Sequence, residues 1–299
     1  MDFPKLIKDK VDLYLNRSNR KISAGAYHSV ALDGNGKVYC WGSNQFGRKD
    51  IPTHLPRIVA ISAGVYHSLA LDVDGKVHAW GNKFYGQTDI PIDLPRIVAI
   101  SAGSFHSLAL DVDGRVHAWG GNNNGQKDIP PDLPKIIMAI SAGDFHNLAL
   151  DVDGKVHAWG DNFCGQSTIP AYLPRIVAIS AGSYYSSSLG EDGKVYAWGD
   201  NTCGKSHIST DLPQIVAISA GENHSMALDV DGLIHAWGNK FYGQTDSPID
   251  LARLVAISGG WDHSLALDVN GRIYAWGRDD FGILDIPTDL LFGNISRFL

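Results

Sequence analysis

One short string returns along the whole chain at a nearly fixed interval, and this limits the fold more than any other feature. Ile-Ser-Ala-Gly, or a close variant, begins at Ile22, Ile61, Ile100, Ile140, Ile179, Ile218 and Ile257. A Trp-Gly pair follows each start nineteen residues later, at Trp41, Trp80, Trp119, Trp159, Trp198, Trp237 and Trp276. The spacing between starts is 39 residues, except for one step of 40. A period of this size means one supersecondary unit repeated, each copy burying its apolar faces against its neighbours.

The second copy shows what the unit is. IVAIS (Ile58–Ser62) is β-branched and apolar, the pattern of a buried strand. HSLAL alternates, so Leu69 and Leu71 share a face. Asp74-Gly75 is a hairpin signal, and KVHAWG follows as a further strand. Gly86 and Pro91 then punctuate a short fourth stretch around GQTDI. No copy holds a helical period long enough for a helix, which excludes a solenoid of helix pairs. Four short strands in about 40 residues predict a β-propeller blade, and seven copies predict an all-β, seven-bladed β-propeller.

The residue types suit that geometry. The innermost strand is crowded by its equivalents around the axis, and Ala-Gly after Ile-Ser fits the crowding. The tryptophans are expected to fill the gaps between neighbouring blades. The two ends depart from the repeat. Residues 1–21 form an N-terminal arm in which Phe3, Leu6, Ile7, Val11, Tyr14 and Leu15 follow a helical period, predicting a short amphipathic helix over Phe3–Leu15. The propeller spans 22–290, and 291–299 are expected to sit near the first blade and help close the ring.

Composition narrows the function. Lys plus Arg is 25 and Asp plus Glu is 32, so wholesale polyanion binding is not expected. Three cysteines (Cys40, Cys164, Cys203) show no CxxC spacing and make no disulfide framework. No apolar run is long enough to span a membrane, and MDFPKLIKDK lacks the apolar stretch of a secretory signal. An intracellular location, cytoplasmic or nuclear, is expected.

The string AGxxHSLALDxDGxVxAWGxNxxGQ closely resembles the repeat of the regulator of chromosome condensation family, from about Ile22 to Pro287. The resemblance implies a seven-bladed β-propeller. It brings several functions: guanine-nucleotide exchange on the small GTPase Ran, chromatin binding, ubiquitin-ligase scaffolding and ultraviolet-B photoreception. The repeats here are shorter than is usual in the family, and no insertion long enough for the exchange factor's β-wing is present. Blade seven reads GGWDHS, similar to the photoreceptor's tryptophan-arginine motif, but Trp261 is alone at that position and Asp262 stands where the arginine would be.

Several residue sets could carry chemistry. Histidine recurs at His28, His67, His106, His146, His224 and His263, with Tyr185 in blade five. A second set is His78, His117, His157 and His235, with Tyr39, Tyr196 and Tyr274 as equivalents. Ring-equivalent groups should stand too far apart to share a metal, and replacement by Tyr suits hydrogen bonding, so no metal, cofactor or catalytic residue is expected. The DVDG strings offer too few oxygen ligands for calcium and read as turns. Adjacent pairs such as His67-Ser68 point to opposite faces of a strand, which gives no nucleophile–base pair.

Two basic sets repeat. Arg57, Arg96, Lys135, Arg175 and Arg253 precede the inner strands and should ring one face, with Asp93, Asp132 and Asp250 near enough for local ion pairs. Lys37, Lys76, Arg115, Lys155, Lys194 and Arg272 follow the hairpin turns. These rings could hold a phosphate-rich partner such as nucleic acid. The pair after each Ala-Gly varies most, and six of the seven pairs hold an aromatic residue. Tyr27, Tyr66, Phe105, Phe145, Tyr184 and Trp261, with Asp262, are therefore the expected partner-binding positions. The expected function is a non-enzymatic scaffold binding a protein or nucleoprotein partner through its loop faces. The alternatives are a guanine-nucleotide exchange factor for a Ran-like small GTPase and a self-assembling structural or nucleic-acid-packaging protein.

Overall fold

The computed structural model describes residues 21–248 and 251–290. The expected helix at Phe3–Leu15 and closing tail at 291–299 lie outside those residues. The described chain forms seven three-stranded antiparallel sheets, strung in sequence order. In blade two the inner, middle and outer strands are Ile58–Ala63, His67–Asp72 and Val77–Gly81. Blade one opens with Ile22–Ala24 and blade seven ends with Ile273–Gly277.

Each blade holds three strands, not the expected four. The stretch around GQTDI runs as turns, because Gly86 takes a φ of +76° and its neighbours' polar groups are engaged elsewhere. The Gln87 carbonyl accepts the Trp119 indole N–H at 3.0 Å and the Ser107 hydroxyl at 2.8 Å. Its hydrogen-bonding capacity thus goes to the next blade rather than to a fourth strand.

The hairpin at the opposite end forms as the DVDG string predicts. Asp72 Oδ1 accepts the amides of Asp74 and Lys76, both at 2.9 Å, and Gly75 adopts a φ of +83°. Burial alone would raise the Asp72 carboxyl, but hydrogen bonds from His78 and these amides outweigh it and hold it below the usual carboxylate range. His78 Nε2 lies 2.9 Å from Oδ2, and His117, His157 and His235 repeat the contact with Asp111, Asp151 and Asp229. This set of histidines therefore braces turns.

The core lies between blades. Trp80 packs with Val30, Leu32, Val38 and Ile58, so each indole wedges between its own blade and the one before. Three kinds of side-chain bond join neighbouring blades, the third in altered form at two interfaces, where His106 meets Asn147 and Tyr185 meets Ser225. First, the tryptophan N–H donates to a loop carbonyl of the preceding blade: Trp80 to Arg48 at 2.7 Å, Trp276 to Gln244 at 3.0 Å, Trp41 to Ile283 at 2.8 Å. Second, an inner-strand serine accepts the amide two residues past the next Ile-Ser start, as Ser62 does from Ala102 and Ser258 from Ala24, both at 2.9 Å. Third, histidine Nε2 of one blade meets a hydroxyl of the next, as in His67 with Ser107 at 2.8 Å and His263 with Ser29 at 2.9 Å. All three run unbroken from blade seven to blade one, so the wheel is closed.

At the axis, the residue after each Ile-Ser-Ala must be glycine. A Cβ built on Gly103 would lie 2.6 Å from the carbonyl oxygen of Gly143. The sequence expectation of crowding at the axis is met.

Candidate functional site

The histidine–serine contacts come first, since they bring together a pair that sequence reasoning kept apart. His67 and Ser68 do face opposite ways, but His67 reaches Ser107 of the following blade. Ser107 gives its proton to the Gln87 carbonyl, so it accepts from His67 and fixes that ring as the Nε2–H tautomer. In the described structure Nδ1 of all six histidines is buried without a partner. Burial pushes these imidazoles down to about 3 in His28, His67, His146 and His263, and to about 4 in His106 and His224. A serine whose proton is spent on a carbonyl, beside a fully buried ring, is a structural latch rather than a nucleophile. Among the described residues no His, Cys, Asp and Glu cluster could hold a metal ion. Cys40 is equally inert, its thiol pushed up to about 12 by burial.

The two faces differ in character. One carries the Ala-Gly turns and the loops after each Trp-Gly, and here the expected aromatic positions meet. Tyr66 stacks on Phe105 with centroids 5.0 Å apart, Phe105 lies 6.0 Å from Phe145, and Phe145 lies 5.6 Å from Tyr184. Trp261 meets Tyr27 edge-on at 4.6 Å. The result is an arc of half-buried rings. Asp262 differs: it lies buried beneath the arc, held by Asn223, Gln244 and Arg278.

Sequence reasoning missed the outer tier of this face. Phe84, Phe163 and Phe241 project from the loops after Trp-Gly and are 83%, 91% and 81% exposed. Tyr85 joins the tiers, with its ring 5.1 Å from Phe84 and 4.8 Å from Phe105. The signal was present in the repeated NKFYGQTD segments, which place Phe-Tyr in blades two and six. At the centre a cavity of about 100 Å³ is bordered by Val65, Asp144, Ser183, Glu222 and Trp261. Burial, reinforced by Asp144 and Asp262, pushes the Glu222 carboxyl up to about 9. Lys205 is committed to Asp200 at 2.9 Å and to the Glu222 carbonyl at 3.1 Å.

Loop shape on this face follows one position. Where it is Gln (Gln87, Gln126, Gln166, Gln244), Oε1 accepts the amide two residues back in all four loops: from Tyr85 at 2.9 Å, Asn124 at 2.8 Å and Cys164 at 2.9 Å. Gln244 does the same with Tyr242 at 3.0 Å. Where it is Arg48, Lys205 or Ile283 that brace is missing, and the preceding Phe46, Cys203 and Phe281 take left-handed φ values of 65°, 62° and 63°. Such a conformation is unfavourable for a side chain with a Cβ.

The opposite face carries the hairpin turns and the basic ring. Arg57, Arg96, Lys135, Arg175 and Arg253 are all exposed. The ion pairs expected with Asp93 and Asp132 are not formed, and Asp250 lies outside the described residues. Instead the arginine stems lie over the preceding blade's turn, and Arg175 and Arg253 donate to the carbonyls of Val152 and Val230 at 3.4 and 3.3 Å. Arg175 alone in this ring pairs with an acid, Glu191, at 3.4 Å among the described residues. No described helix is long and apolar enough to cross a membrane.

Known proteins share this architecture. Yeast RCC1 (Prp20), in its complex with Kap60, superposes with a TM-score of 0.74 at 20% identity, over 95% of this chain and 87% of that one. Human WBSCR16 gives a TM-score of 0.71 at 19% identity, over 84% and 88%. Human Alsin is 49% identical over 43 residues, which is 13% of this chain, and the match spans only 3% of Alsin's own length. The regulator of chromosome condensation (RCC1) repeat matches seven stretches, at residues 20–48, 58–87, 97–126, 138–166, 176–205, 215–244 and 254–283. With the repeat matched in every blade and the wheel closed, the chain belongs to the RCC1 repeat family.

Proposed function

We propose that this protein is a non-enzymatic platform that binds a protein partner through its aromatic face. The observation that carries the reading is the two-tier array on one side of the wheel. Tyr66, Phe105, Phe145 and Tyr184 are packed ring to ring, and Phe84, Phe163 and Phe241 stand almost free in solvent above them. Large aromatics exposed together on a rigid frame are the usual anchors of protein interfaces. Relatives support the partner class: yeast Prp20 is bound to Kap60 in one structure, and Prp20p is known for its binding to Gsp1p and histones. The test is retention of proteins on immobilised full-length chain. The triple variant Phe84→Ser, Phe163→Ser, Phe241→Ser is expected to lose the retained proteins while melting normally. Unchanged retention would refute the reading.

A second reading concerns the basic face, where Arg57 and Arg96 are exposed and form no ion pair among the described residues. That ring fits a phosphate-rich partner. Nucleic-acid retention that falls steeply with salt, and disappears in Arg57→Glu/Arg96→Glu/Arg175→Glu, would support it. Guanine-nucleotide exchange is checked directly by release of labelled GDP from a Ran-like GTPase.

A further inference from the structure

Arg48 is 1% exposed and occupies the position that holds glutamine in four other blades. Its guanidinium lies 4.9 Å from the Tyr27 ring, 5.5 Å from Tyr66 and 5.6 Å from Phe46. Among the described residues it has no carboxylate partner, and its Nε is buried with no hydrogen-bond acceptor. Lys205, the other cation at this position, has Asp200 beside it; in blade one the residue equivalent to Asp200 is Ser43. Among the described residues blade one therefore has a buried cation without a counter-ion, and the left-handed Phe46 beside it. Burying a charge without a partner is costly, and a guanidinium seated in this aromatic cage still has its Nε–H donor to offer.

We propose that Arg48 is an anchor for a carboxylate side chain of the protein partner, entering between Tyr27, Phe46 and Tyr66 at the junction of blades one and two. This rests on the aromatic face being the partner surface. The charge balance favours a monoanion. Arg48 supplies one unpaired positive charge, and Arg278, the other arginine facing Tyr27, is already neutralised by Asp262 and Asp280. The apolar walls favour a carboxylate carried on a protein segment that can also cover the rings. Half-exposed Phe46 is the wall that must turn aside to admit it.

The test uses the Nε–H resonance of Arg48 in the nitrogen-labelled full chain, assigned by its loss in Arg48→Gln. That variant carries the residue native to four other blades and keeps the backbone carbonyl that receives Trp80, so its fold should be preserved. N-acetylglutamate amide is expected to shift the resonance saturably. The isosteric N-acetylglutamine amide is expected to leave it unmoved. The aromatic-ring signals of Tyr27 and Tyr66 should respond to the glutamate probe in the native chain and lose that response in Arg48→Gln. No shift with the glutamate probe would overturn the proposal, as would a stronger saturable response to inorganic phosphate at equal ionic strength. A shift produced without probe by Asp2→Asn/Asp9→Asn/Asp12→Asn would also overturn it, because the occupant would then be the chain itself. Failure here leaves the aromatic reading to its own test, since the phenylalanine variants do not touch Arg48.

Discussion

The Trp41 indole donates to the carbonyl of Ile283, 242 residues away, at 2.8 Å. This is the same bond that joins Trp80 to Arg48 and Trp119 to Gln87 within the chain. If the closing interface equals the internal ones, Trp41→Phe and Trp80→Phe should cost about the same, roughly 1–3 kcal/mol each for the orphaned carbonyl. Denaturant melts of the two variants check this. A much smaller loss for Trp41→Phe would show a weaker closing joint. Trp80→Ala should cost more, about 3–5 kcal/mol, because the wedge itself is removed.

Blade five is expected to be improvable. Ser187 and Ser188 stand where blade two has Leu69 and Ala70, and the Ser188 hydroxyl is buried without a partner. Trp237, which faces this interface, is only partly buried, whereas the other six repeat tryptophans are buried. Ser188→Ala should raise stability by about 1 kcal/mol by removing an unpaired polar group. Ser187→Leu should add to the gain by restoring the missing apolar contact with Trp237. A lowered melting temperature for Ser188→Ala would contradict the packing described.

Acid should open the wheel steeply. The buried histidines have folded values of about 3 to 4, against 6.5 for an unperturbed ring. Below pH 6.5 the unfolded chain binds protons that the folded chain refuses, so stability falls as pH drops toward 4. Each ring contributes up to about 1.4 kcal/mol per pH unit in that window. His146→Tyr, which copies Tyr185, should make the acid slope shallower by one proton. Urea midpoints measured from pH 7 to pH 4 give the slope, and a flat profile would refute the latch.

Glu222 should act in the opposite direction. Its folded value of about 9 exceeds the ordinary 4.5, so the folded state keeps a proton that the unfolded state loses above pH 4.5. Stability is lost as pH rises through this range. Glu222→Gln, neutral in both states, should be nearly silent at pH 5 and stabilising at pH 8. Melting curves of the two proteins at both pH values decide it.

The repeat made the blade count, the hairpin turns and the tryptophan wedges legible, because each depends on residue types recurring at fixed offsets. The outer stretch was misread as a strand. Its apolar pattern around Ile90 looked extended, while the actual determinant was the Gln87 carbonyl serving Trp119 and Ser107 of another blade. The His–Ser latches were hidden for the same reason. His67 and Ser107 lie 40 residues apart, and no local pattern shows which strand becomes the neighbour. Arg48 was visible as a departure from glutamine in its column, but its significance required the three rings around it and the missing acid. Of the candidate partner residues, the six aromatics came together on one face, while Asp262 turned inward because Gln244 and Arg278 offer it hydrogen bonds there.

Every joint in the wheel has the same polarity: a histidine, or Tyr185 in blade five, reaches forward and a tryptophan reaches back. Among the described residues the indole, serine and histidine bonds join the seventh blade to the first as they join the second to the third. The point at which the chain enters such a ring is therefore arbitrary. A circular permutant whose new ends fall in the exposed loop after Ile90, with the old ends tethered, should assemble the same object.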